Sequence, residues 1–166
     1  MMRTIVTLTV FLLQLFCMQG AFAAEAVSVA LQAFKVVTTN AGTKLVKTDA
    51  AQPGDTIEYQ VTYSNTGATP ARDVLATLPV PKGGLAYIAD SATPVAAQAS
   101  LDGATFAPMP LTRTVTRAGK QVVEPVPVSE YRFLRWKLGE IKPGASTTVS
   151  SRMRLDSAQP VTNVRS

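Results

Sequence analysis

Carboxylates are the side chains in this sequence that could do chemistry with the least help. Asp55, Asp73, Asp90 and Asp102 lie in four separate stretches. Gathered in one place they could bind calcium, which takes about six to eight oxygen ligands. Paired in a cleft about 5–10 Å apart, two acids could hydrolyse a glycoside. Neither arrangement is written in the spacing. No Asp-x-Asp-x-Asp run collects the oxygens, and the acids are scattered. The reading preferred for all four is turn formation, because Asp bonds its own backbone and tolerates left-handed conformations.

A second group pairs aromatics with cations. Tyr131, Phe133, Arg135 and Lys137 alternate along one segment, and Arg152 and Arg154 alternate along a later one. Aromatic residues and Arg are enriched at interfaces, so these six residues form the candidate interaction face. The plainer reading is an ordinary sheet face, or one covered by residues 107–130. Arg113, Arg117 and Lys120 could steer an anionic lipid, lipopolysaccharide or acidic partner, but the reading preferred for them is a solvated loop.

Other chemistries are excluded by composition. The chain has no histidine and one cysteine, Cys17. Ser-His-Asp and Cys-His catalysis and Cys-rich zinc sites therefore cannot be assembled. Phosphate-loop and dinucleotide glycine patterns are absent. A serine–lysine pair has no motif to mark it. The expectation is a non-enzymatic protein that needs no cofactor and no metal.

The elements that position these residues begin with an address. Arg3, an apolar run from Ile5 to Met18 and Ala21-Phe22-Ala23 have the order of a secretory signal peptide, cut after Ala23. The run is too short for a membrane span. Residues 1–23 are thus assigned to the signal and 24–166 to one domain, which would contain no cysteine and no transmembrane span. The expected location is the periplasm, the cell surface or the medium. The whole chain carries a net charge of +5. This mild excess, without a dense basic run, suits weak attraction to anionic glycan or lipid and argues against nucleic acid.

Beyond residue 24 the hydrophobic period is two. Ile57, Tyr59, Val61 and Tyr63 alternate with polar residues between Pro53-Gly54 and Asn65-Thr66-Gly67. Such alternation makes one apolar and one polar strand face. Val29, Leu31 and Ala33 share a face of an earlier strand, as do Val74, Ala76 and Leu78 of a later one. Leu134, Trp136 and Leu138 share a face, and so do Val149, Met153 and Leu155. The expected core is Ile57, Tyr59, Val61, Tyr63, Val74, Leu78, Leu134, Trp136, Leu138, Val149, Met153 and Leu155. The strands Tyr131–Leu138 and Thr147–Leu155 are expected to pair as a hairpin about Gly139–Gly144. Asp102-Gly103 is read as another hairpin tip. Residues 107–130, with four prolines, read as an irregular insertion containing one strand over Thr112–Thr116. Val161–Val164 reads as a short last strand, which would leave a sheet edge open to another chain. About seven to nine strands with regular turns predict an immunoglobulin-like antiparallel β-sandwich.

Several of these motifs fall in a familiar order. Pro53-Gly54-Asp55, Tyr59, Asn65-Thr66-Gly67 and Leu78-Pro79 come first. Trp136-Lys137-Leu138-Gly139, Pro143-Gly144 and Thr162-Asn163 follow. Over residues 45–164 the chain resembles the domain of unknown function eleven family, β-sandwich modules of bacterial surface and secreted proteins. It departs from that pattern in its single copy, in the insertion at 107–130, and in Ala76-Thr77 where an Asp usually precedes Leu-Pro. The resemblance implies an immunoglobulin-like fold and an extracytoplasmic structural or interaction role, with no catalytic residues to carry over. The expected partner is another envelope or surface protein. The alternative is a glycan or anionic envelope component bound on the outward aromatic and basic face.

Overall fold

The computed structural model describes residues 27–81 and 84–156. The signal segment and Val161–Val164 lie outside the described residues. Eleven strands follow in order: β1 Val27–Thr39, β2 Gly42–Lys47, β3 Thr56–Asn65, β4 Ala71–Pro79, β5 Leu85–Tyr87, β6 Gln98–Ser100, β7 Ala107–Pro108, β8 Thr112–Arg117, β9 Lys120–Pro125, β10 Phe133–Ile141 and β11 Ser146–Leu155. One 3-10 turn spans Val128–Glu130.

Nine strands build an antiparallel β-sandwich. The first sheet has the order β2-β1-β3-β11-β5, and the second β4-β10-β6-β7. The remaining two, β8 and β9, pair only with each other. β3 occupies the centre of the first sheet, between β1 and β11. Its polar face carries Glu58, Gln60, Thr62 and Ser64, and its apolar face turns to the core. β11 pairs with it over nine residues, Ser146↔Ser64 to Arg154↔Thr56. In this register Val149 lies opposite Val61 and Met153 opposite Ile57. On the second sheet Leu134 and Trp136 of β10 pair with Leu78 and Ala76 of β4.

The inward faces of both sheets close one core. Ile57, Val61, Tyr63, Leu78, Leu134, Trp136, Val149 and Met153 are buried. Tyr59, Val74 and Leu138 pack half-buried against them, and Leu155 is half-buried at the strand end. A fully buried Val or Met contributes about 1.5–3 kcal/mol over an exposed one, so Val149 and Met153 anchor β11. Trp136 also satisfies its indole, donating Nε1–H to the Pro94 carbonyl at 2.9 Å.

Two expectations are corrected. β10 and β11 are not a hairpin: they belong to different sheets. β10 runs on to Ile141, with a register shift at Gly139, and the turn at Lys142–Ala145 carries the chain across the sandwich. Residues 107–130 are not irregular. They hold the complete hairpin β8–β9, in register from Thr112↔Pro125 to Arg117↔Lys120. Its base is tied to the core where Val126 N–H donates to the Leu111 carbonyl at 2.8 Å, both side chains being buried.

Candidate functional site

The six residues expected to form one interaction face occupy three places. Tyr131 is the clearest correction. It is 1 % exposed, its ring stacks on Tyr87 with centroids 6.0 Å apart, and its hydroxyl accepts the Leu111 N–H at 2.8 Å. The chain at Tyr131 is still leaving the 3-10 turn, and β10 begins two residues later. The strand's alternation therefore does not extend back to it.

Phe133, Arg135 and Lys137 do share the outward face of the second sheet, as their cross-strand partners Pro79, Thr77 and Leu75 show. The loop between β6 and β7 has already covered part of this face. The Arg135 guanidinium carbon stands 3.4 Å from the Phe106 ring centroid, and its Nε donates to Thr77 Oγ1 at 3.3 Å. Phe133 presses on Gly103, where an added Cβ would meet the ring at 2.8 Å. Gly103 is required twice, since its φ is +81°. Asp102 fixes the same loop by accepting from the Ala104 and Thr105 N–H groups and from Ser100 Oγ. Those bonds, led by Thr105 N–H, hold its carboxyl below the usual carboxylate range.

Arg152 and Arg154 lie on the outward face of the first sheet, opposite Glu58 and Thr56 of β3. Arg152 is engaged by Glu58 at 2.9 Å, and the Gln60 amide also donates to Glu58 at 2.8 Å. The six residues thus divide between the core and two opposite surfaces.

The remaining acids serve structure. Lys35 donates to Asp55 at 2.8 Å, and Asp55 accepts the Gln52 N–H at 2.9 Å. The Lys35 bond above all holds the Asp55 carboxyl below its ordinary range. Asp73 and Asp90 adopt left-handed backbone conformations, with φ of 53° and 58°. Among the described residues no three His, Cys, Asp or Glu side chains gather as metal ligands would. A shallow groove of about 630 Å³ beside Tyr87 and Tyr131 is lined mainly by apolar groups, with Asp90 its single charged wall residue.

The surface that stands out lies on β1. Its first half pairs with β3 from Val27↔Asn65 onward, but β2 covers its other side only from Phe34. Among the described residues, no strand pairs with residues 27–32 on that side. The Ala33 carbonyl accepts from Thr48 N–H at 3.0 Å on that side. Backbone groups alternate along a strand, so those of Val27, Val29 and Leu31 also point to the free edge. Their side chains lie on the core face, opposite Asn65, Tyr63 and Val61. Yet Val29 and Leu31 are each 59 % exposed, while Val61 and Tyr63 are 5 % and 8 %. The second sheet does not reach over them. Val46 on β2, facing the same way opposite Lys35, is 50 % exposed.

No reacting pair of side chains accompanies this edge. Among the described residues, it offers a row of N–H and C=O groups with no strand beside them, next to exposed apolar side chains. The sequence shows Val29, Leu31 and Ala33 as one apolar face but carries no sign that the opposing sheet falls short. Comparisons of the chain with protein-family models, curated proteins and solved structures find no match.

Proposed function

We propose that the chain is an exported, non-enzymatic β-sandwich module that binds another protein at the cell envelope or surface. The observation that carries this reading is the open β1 edge, where Val29 and Leu31 stand more than half exposed on a face that is core elsewhere. Larger apolar exposure next to free backbone groups is costly in water and favours strand addition by a partner. The export signal read in residues 1–23 and the resemblance over 45–164 agree with an envelope setting. A glycan platform on the second sheet has less support, because Tyr131 is buried and Phe106 is occupied by Arg135.

The test is site-specific photo-crosslinking in the producing cell. A crosslinker at Leu31 should trap a discrete protein product, and one at Arg154, on the opposite face of the same sheet, should not. A product at Arg154 or Lys137 with none at Leu31 would overturn the reading.

A further inference from the structure

We infer that the outward face of the second sheet carries a phosphate-binding site, built on Arg135 and Lys137 and taking free phosphate or a phosphate monoester. The site lies on a different sheet from the β1 edge and stands apart from the reading above.

Arg135 is held in place by the protein itself. It sits on β10 with Thr77 of β4 on one side and Gln98 of β6 on the other. Its guanidinium carbon lies 3.4 Å from the Phe106 ring centroid, and Nε donates to Thr77 Oγ1 at 3.3 Å. Phe106 is set there by a braced loop. Asp102 Oδ1 accepts from the Ala104 and Thr105 N–H groups, and Gly103 lets the loop close on Phe133. Nε is thus committed, while neither Nη group is hydrogen-bonded among the described residues. A stacked guanidinium offers the N–H groups at its edge as a fixed fork, the geometry that suits an oxyanion. The stack that takes the Phe106 face from a sugar ring therefore orients Arg135 for an anion.

The groups around it are donors. Lys137 is exposed and stands two residues along the same strand on the same face, about 7 Å away between Cα atoms. The Gln98 side chain shares the face of Arg135, as directly paired residues do. The Thr77 hydroxyl accepts from Arg135 and keeps its own hydrogen to donate. Among the described residues no carboxylate lies within ion-pair distance of Arg135 or Lys137; Glu140 on the same strand pairs with Arg72 instead. Arg152, Arg113 and Arg117, by contrast, are all bridged to glutamates. Two full positive charges and four donor groups exceed what one carboxylate takes up. They match a phosphate, which brings three terminal oxygens and a charge of about −2. Gln98 and Lys137 also wall a hollow of about 410 Å³ with Val95, Pro108 and Met109, which leaves room for the group that bears the phosphate.

The test is NMR of the isotope-labelled chain titrated with inorganic phosphate at about pH 8, where the anion is mostly doubly charged. Saturable shifts at the Arg135 Nε–H and the Gln98 side-chain amide are expected, with Kd on the order of 1 mM. Chloride at matched ionic strength should produce none. Arg135→Gln and Lys137→Gln should each weaken binding about tenfold or more. Arg135→Lys should weaken it too, although it keeps the charge, because it loses the fork. Arg154→Gln, on the other sheet, should change nothing. Lys137 is exposed, so Lys137→Gln reads binding without disturbing the fold, and circular dichroism checks the Arg135 variants. The absence of a saturable shift overturns the inference. Equal weakening by Arg154→Gln overturns it as well, since that marks general attraction to a basic surface. Tighter binding of a tetra-aspartate peptide at the same residues also overturns it, and assigns the face to an acidic protein. Vesicles of phosphatidic acid in phosphatidylcholine tell the two sources apart. Co-sedimentation that is lost in Arg135→Gln makes the phosphate lipid-borne, and none beside intact phosphate binding makes the ligand soluble.

Discussion

Single residues fix the loops, and Asn65 does so most completely. It is 1 % exposed at the end of β3. Its amide donates to the Thr69 and Ile141 carbonyls, each at 2.8 Å, and its side-chain oxygen accepts the Gly67 N–H at 2.9 Å. One side chain thus closes the turn after β3 and ties it to the last residue of β10 in the other sheet. Asn65→Ala leaves these groups unpaired and should cost about 2–4 kcal/mol in urea unfolding. The sequence shows Asn65-Thr66-Gly67 as a turn, but not the contact with Ile141, 76 positions away. Acid sensitivity also belongs to this scale. Asp55 and Asp102 both have carboxyls held below their unfolded range. A depressed folded pKa gives stability that is complete above the unfolded value and is lost as pH falls through the folded one. Stability should therefore decline from about pH 4 downward. The double variant Asp55→Asn, Asp102→Asn should show a flatter acid limb in pH-dependent thermal melts, while an equally steep limb would assign the effect elsewhere.

At the scale of elements, alternation reveals which face of a strand is apolar but not which strand lies beside it. β3 was legible for that reason, and so were the inward faces of β10 and β11. Their pairing was not. In a sandwich, two successive strands can face one core either side by side in a sheet or across it, and the same pattern serves both. Phase is the second limit. Counting back from Trp136 in steps of two puts Tyr131 beside Phe133, but the 3-10 turn ends just before it and sends its ring into the core. The hairpin β8–β9 was obscured by prolines that in fact sit at or beyond its base, since Pro108, Pro110 and Pro127 lie outside its strands and Pro125 is the last residue of β9. Its ion pairs, Arg113 and Arg117 with Glu124 and Arg113 with Glu130, are largely exposed, and exposed pairs contribute about 0–1 kcal/mol each. Replacing residues 113–124 by a two-residue Asn-Gly turn should keep the sandwich, because Leu111 and Val126 hold the base. A single cooperative melt is the expected result. A molten protein would show that the hairpin supports the core.

At the scale of the molecule, the sandwich formed by the described residues is closed over most of its area and open along half of one strand. Charge, proline and shortness protect the other edges, and their absence from residues 27–33 can be read in the sequence. The exposure itself cannot, because Val29 and Leu31 alternate just as core residues do. Whether an apolar strand face is covered depends on how far the opposing sheet extends, and no local pattern encodes that. Residue-resolved amide exchange by NMR on dilute protein reports directly whether the β1 edge is open. Ala30 and Gln32 point into the ladder with β3, whereas Val29 and Leu31 point away from it. An open edge gives a two-residue rhythm, with fast exchange at 29 and 31, slow exchange at 30 and 32, and protection of 29 and 31 once a partner is bound. Equal protection of all four amides in the dilute monomer would show instead that the chain covers its own edge.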